Sequence, residues 1–234
     1  MSKRKDFEIF LYKNKLNTKT LLDISSQLST KTLDYLLYDL NKTSNLQDNQ
    51  NNQNNNENIL YIFTDGGCKG NGKKNAKAAY SVFFTKDSNS NFFRFNKTKS
   101  ISNPSNNKAE LSGIKVAFKI ITENIDIFKN KHVIICTDSM YSINCIDTWS
   151  KNWIKNNWKN SKGEDVKNQD IIKEILEFKE LLKAETTDKN IKTSFQHVFS
   201  HTKCPEDKLS LQYMLWEGNN IVDENIKNLL EQIN

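Results

Sequence analysis

None of the four cysteines, Cys68, Cys136, Cys145 and Cys204, forms a CxxC pair, and none keeps zinc-ligand spacing to the three histidines. That argues against a structural zinc site and predicts free thiols in a reducing, intracellular compartment. No apolar run is long enough to span a bilayer, and no secretory hydrophobic stretch is present. The opening MSKRKDFEIF is basic but soon acidic, which argues against a transit peptide. A soluble protein without a membrane partner is expected. Internal repeats are absent too. Apolar residues are scarce, at 36% of 234. Runs of Asn and Lys account for this, because Leu, Ile, Val and aromatic residues cluster after position 58.

The chain divides by composition. Residues 44–58, SNLQDNQNNQNNNEN, cannot bury enough apolar surface to order themselves and read as a linker. Ahead of it, residues 1–43 carry Leu and Ile at helical spacing and predict a small helical extension. Residues 59–234 hold the main domain. LYIFTD, KAAYSVFF and NFFRF read as three antiparallel strands, and a helix follows in NNKAELSGIKVAFKIITEN. HVIICTD reads as a buried strand, SMYSINCIDTW as the opening of a helix and DIIKEILEFKELLKAE as a longer helix. A strand in IKTSFQHVFS and a last helix in IVDENIKNLLEQI close the series. Such alternation after an antiparallel start predicts a mixed α/β domain, a sheet flanked by helices.

Four acids stand at element ends. Asp65 is expected to end the first strand and Asp138 to end HVIICTD. If those strands are parallel neighbours, both carboxylates emerge at one end of the sheet, an arrangement that usually requires a neutralising cation. Each acid also has an ordinary reading. Asp138 suits a helix cap, Asn107-x-x-Glu110 fits a capping box, and Asp223 would favour the dipole of a helix it opens.

In order along the chain, TDGGCKGNG, SNNKAEL, TDSMYSINCIDTWSKNWIKNNW, FSHTK and GNNIVDEN resemble type 1 ribonuclease H, the eukaryotic cellular enzymes above all. The resemblance covers about residues 58–234 and implies a five-stranded mixed sheet. It implies that Asp65, Glu110, Asp138 and Asp223 hold two Mg²⁺ ions, with Mn²⁺ as a substitute. By the same resemblance, His201 is a mobile histidine that assists turnover. The implied activity is two-metal-ion hydrolysis of the RNA strand of an RNA/DNA hybrid by a monomer, leaving 5′-phosphate and 3′-hydroxyl ends.

Resemblance also allots the substrate contacts. Asn71, Asn106, Asn107 and Met140, with backbone near Cys68 and Gly70, would line the RNA strand, where an Asn amide suits a 2′-hydroxyl. Glycines 66, 67, 70 and 72 would let backbone approach that strand, although a hairpin turn explains them equally well. Ser105, Asn106 and Asn168 would surround a DNA-strand phosphate. An Arg common before that Ser is replaced here by Asn103 and Pro104, which implies a weaker pocket. WSKNWIKNNWKNSKG sets Lys151, Lys155, Lys159 and Lys162 among tryptophans, with no acid before Glu164. Trp149 and Trp158 are expected to pack, while Trp153, Ser161 and the lysines face DNA. His132 and His197 lie in strand patterns and are expected to be structural. The connection from His201 to Asp223 is longer than is usual in the family.

Two other readings compete. A catalytically silent hybrid-binding module need not keep four converging acids. A resolvase or integrase of the wider fold would lack the Trp/Lys segment and the Asn-rich positions.

Overall fold

A computed structural model describes residues 59–85, 92–185 and 190–233. The extension over 1–43 and the linker over 44–58 lie outside the described residues. Nearly all of the described chain falls in one compact unit, Asn58–Thr85 with Phe95–Asn234.

The sheet has five strands: β1 (Ile59–Lys69), β2 (Lys77–Phe84), β3 (Lys97–Ile101), β4 (His132–Thr137) and β5 (Lys192–His197). Their order is β3-β2-β1-β4-β5. The β1–β2 and β2–β3 pairs are antiparallel, whereas β1–β4 and β4–β5 are parallel. Parallel neighbours need crossovers, and helices supply them. The path from β1 to β4 includes α1 (Asn106–Glu123), and that from β4 to β5 includes α2 (Met140–Ile143), α3 (Ser150–Lys155) and α4 (Gln169–Glu185), with a wide π-type turn over Asn144–Trp149 between α2 and α3; α5 (Leu211–Gln232) follows β5.

Successive residues of a strand face opposite sides of the sheet. At Gly66 a side chain would strike the start of α1, its Cβ falling 2.1 Å from the Glu110 nitrogen. One residue on, a Cβ at Gly67 would lie 2.7 Å from Ile226 of α5. Helices α1 and α5 therefore cover opposite faces, and both press on β1. The two glycines lie within a strand, not in a hairpin turn, and each makes room for a helix packed on β1. Leu60, Ile62, Phe63, Phe83, Ile114, Phe118, Ile135 and Ile221 build the core on either side.

Three expectations about elements need correction. NFFRF is a 3-10 turn over Phe92–Phe95, and the third strand is the polar KTKSI that follows. The cap of α1 is Ser105, whose hydroxyl accepts from the Lys108 amide at 3.3 Å, so Asn107 and Glu110 form no capping box. The last helix starts at Leu211 behind a Ser210 cap, which places Asp223 in its middle, away from the N-terminal dipole.

Candidate active site

Asp65 does not end its strand; β1 runs on to Lys69. What ends near it is one pairing. The β1–β4 register stops at Phe63↔Cys136, while β1–β2 continues through Asp65↔Ser81 to Lys69↔Lys77. The β4 side of β1 thus opens at Asp65, and Asp138 follows directly after the end of β4. Close seating of α1 on Gly66 brings Glu110 alongside. One carboxylate oxygen from each of Asp65, Glu110 and Asp138 lies within 4.8 Å of the others.

Asp223 and His201 line the same cleft, of roughly 480 Å³, together with Cys68, Asn106 and Lys227. The fourth carboxylate falls outside the trio, and its Oδ2 accepts from Lys227 Nζ at 2.6 Å. Sequence reading missed Lys227. Its signal was available, since a lysine four residues after an acid on one helix is placed to pair with it.

Burial and mutual repulsion dominate the electrostatics. Asp65 and Glu110 are only 8% and 7% exposed. Burial first, then the Asp138 charge, pushes Asp65 up to about 8, although the Gly66 N–H donating to Asp65 Oδ1 at 2.7 Å opposes the shift. Glu110 is pushed up to about 10 by burial, then by Asp65 and Asp138. Glu110 Oε1 receives a long contact from Asn106 Nδ2 at 3.5 Å, the Gly66 N–H opposes the shift, and the buried Oε2 has no hydrogen-bond partner.

An orphaned carboxylate oxygen beside two further carboxylates fits a hard divalent cation, which takes oxygen ligands and favours their ionised form. Without a cation, burial and mutual repulsion favour the protonated forms of Asp65 and Glu110. Binding of Mg²⁺ at pH 7 is therefore expected to release protons and to tighten from pH 6 to pH 8. Calorimetry in buffers of different ionisation enthalpy reads this directly, and buffer-independent heat would contradict it.

Among the residues expected on the RNA side, Asn71 Oδ1 accepts from the Asn106 backbone amide at 3.3 Å, bracing the turn after β1 against the start of α1. Gly70 is left-handed at φ 69°, Cys68 is half-buried, and Met140 is 45% exposed. Asn107 and Asn168 both bear on the hydroxyl of Tyr141, their side chains opposing the rise that burial gives it. Ser105 spends its hydroxyl on the α1 cap. The expected RNA-side and DNA-side residues thus meet around the starts of α1 and α2.

The Trp/Lys segment differs in detail from expectation. Tyr141, Trp149, Trp153 and Trp158 follow one another with ring centroids 6.1, 5.8 and 6.4 Å apart. Trp149 is 37% exposed, so it does not pack inside as expected, while Trp153 and Trp158 are half-buried. Lys173, unread in the sequence, lies 4.7 Å over the Trp158 ring. Lys151, Lys155 and Lys162 are exposed, as is Ser161, but Lys159 is held by Asp165 at 2.8 Å. Both histidines expected in strands lie there and are hydrogen-bonded: His132 Nε2 meets Ser194 Oγ at 2.8 Å, and His197 Nε2 meets the Asp138 carbonyl at 3.2 Å.

A family model described as RNase H matches residues 56–229. The ribonuclease H of Clostridium botulinum (strain Hall) is 33% identical over 119 residues, which cover 50% of this chain and 73% of that protein. Ribonuclease H1 of Rattus norvegicus is 32% identical over 118 residues, 50% of this chain and 39% of the rat protein. Among solved structures, the solution structure of the PFV RNase H domain aligns with a TM-score of 0.53. At 18% identity it covers 72% of this chain and 92% of that one, a likeness of fold.

Proposed function

The chain belongs to the ribonuclease H family, and from that premise we propose that it cleaves the RNA strand of RNA/DNA hybrids. The observation that carries this reading is the convergence of Asp65, Glu110 and Asp138 in one cleft with Asp223 and His201. These carboxylates would hold two Mg²⁺ ions, for which Mn²⁺ would substitute. Bound there, the ions would activate a water and neutralise charge on the scissile phosphate and the departing 3′ oxygen. The products are then 5′-phosphate and 3′-hydroxyl ends.

The protein's own groups do the rest. Burial keeps bulk water from screening the acids, which strengthens their hold on cations. His201 lies on the rim of the cleft, and an imidazole is the side chain suited to passing a proton near neutral pH. Asn71, Asn106 and Asn107 offer amides to the 2′-hydroxyls that distinguish RNA from DNA. The aromatic row and exposed lysines, with Ser161 and Asn168, would carry the DNA strand, aromatic faces taking apolar contact and ammonium groups the phosphates. One chain contains every group named, so a monomer suffices.

The test is a comparison of labelled duplex RNA, duplex DNA and RNA/DNA hybrid under one Mg²⁺ concentration. Shortening of the RNA strand in the hybrid alone is expected. Equal cutting of all three would overturn the substrate assignment.

Replacing Lys151, Lys155 and Lys162 by Ala should flatten the salt dependence of hybrid binding, by about one in log–log slope for each phosphate no longer neutralised. Lys159→Ala should do less, because Asp165 already neutralises that ammonium. Rates at saturating hybrid should change little. An unchanged slope in the triple variant would mean that these lysines are only a solvated face.

A further inference from the structure

The long connection between His201 and Asp223 is not an idle insertion. Much of it is helix: α5 begins at Leu211, where Ser210 Oγ accepts from the Tyr213 amide at 3.1 Å. About three turns of helix therefore precede Asp223. On the second of them stands Trp216, whose indole N–H donates to the backbone carbonyl of Thr202 at 3.0 Å. The Tyr213 ring lies beside it, 5.7 Å between centroids.

Thr202 is the next residue after His201. The His201 backbone is left-handed at φ 55°, a conformation that a side chain bearing a Cβ does not favour on its own. Something must hold it there, and the imidazole lines the cleft with the carboxylates. At the near end of the loop, the Val198 amide donates to the Thr137 carbonyl at 3.0 Å, next to Asp138. Trp216 supplies a hold on the other side of the histidine.

Trp216 and Asp223 are seven residues apart on one helix, which is nearly two turns and so the same face. A rise of about 1.5 Å per residue sets them roughly 10 Å apart along a stiff rod. The helix that carries the fourth carboxylate thus also carries the brace for the histidine loop.

We propose that Trp216 is a positioning residue, holding the His201 loop at the carboxylate cleft through its hydrogen bond to the Thr202 carbonyl. This rests on the reading of His201 as the residue that passes a proton during cleavage of the hybrid. An indole is a donor only, and phenylalanine keeps most of its bulk while removing the N–H.

The experiment measures kcat and KM for the hybrid, from pH 6 to pH 9, for Trp216→Phe, His201→Ala and the double variant. His201→Ala should lower kcat on the order of 10²-fold, the scale of one general acid–base group. Trp216→Phe should lower kcat roughly 3- to 10-fold, the factor that one hydrogen bond supplies, with KM unchanged. The double variant should match His201→Ala alone, because a brace has nothing left to position. Trypsin cleavage after Lys203 should quicken in Trp216→Phe while the melting temperature stays near that of the wild type.

If His201→Ala is impaired and Trp216→Phe cuts at the wild-type rate, the positioning role is wrong and the histidine assignment stands. Additive losses in the double variant also overturn it, since Trp216 would then act elsewhere. Wild-type rates for His201→Ala across the pH range would remove the histidine assignment and the brace together.

Discussion

Asp65→Asn is expected to lower hybrid cleavage about 10⁴-fold, the scale of losing one member of a unit that acts together, and to raise the stability of the cation-free protein. The two effects have one cause. Asp65 is buried, and its carboxylate meets the charge of Asp138 and, to a smaller extent, that of Asp223. Its folded pKa is raised from 3.8 to about 8, so the unfolded chain ionises first as pH rises. Stability is full below the unfolded value and falls progressively between about pH 4 and pH 8. Asparagine cannot ionise, and it removes that loss together with the cation ligand.

Melting in EDTA at pH 8 should therefore show the variant above the wild type, by at least about 2–4 °C for each kcal/mol regained in a domain of this size. Below about pH 3, where the Asp65 carboxyl is protonated in both the folded and the unfolded chain, the difference should vanish. Saturating Mg²⁺ should stabilise the wild type strongly and the variant little. A variant less stable than wild type at pH 8 in EDTA would mean that the acid is satisfied some other way.

Gly66→Ala carries the second large effect, and it strikes both fold and site. The added Cβ would meet the Glu110 nitrogen at 2.1 Å, the Ala109 carbonyl carbon at 2.3 Å and the Glu110 Cα at 2.6 Å. All three atoms are helix backbone, so no rotamer change relieves the clash; β1 or α1 must move. A destabilisation of about 3 kcal/mol or more is expected, the upper end for overpacking. Because the helix that shifts carries Glu110, cleavage should fall with it even where the protein remains folded. Gly72→Ala is the control. It has open space around it at φ 82° and should cost only about 1–2 kcal/mol from the left-handed backbone, with cleavage intact. Urea melts of both variants check the ranking, and equal losses would contradict the packing assigned to Gly66.

How legible the site was depended on how each residue is placed. Asp65 and Asp138 follow apolar strand runs, and strand propensity alone marks where such runs meet a charge. Their convergence required parallel neighbours, which the alternation of strand and helix implied. Glu110 was found through its motif, but its placement depends on Gly66, whose role is visible only once α1 lies on β1.

Where the sequence misled, a local signal pointed away from the tertiary outcome. The aromatic NFFRF looked like a strand, yet β3 is KTKSI, a largely exposed edge strand with no apolar face to announce it. The last helix was expected in IVDENIKNLLEQI, but it begins ten residues earlier, at Leu211, and runs through Gly218. That glycine is buried mid-helix, because a Cβ there would lie 2.3 Å from the Phe63 ring. Helix propensity yields to that close packing. The same misjudged start hid Trp216 and gave Asp223 a dipole role it does not have.

The most direct measurement follows the RNA strand of an end-labelled hybrid with wild-type protein, first in EDTA and then as Mg²⁺ is added past the chelator. With Asp65, Glu110 and Asp138 serving as a cation site, the RNA strand should stay whole in EDTA and shorten once free Mg²⁺ appears, leaving 5′-phosphate and 3′-hydroxyl ends. Cleavage that proceeds unchanged in excess EDTA, or products ending in 2′,3′-cyclic phosphate, would contradict it.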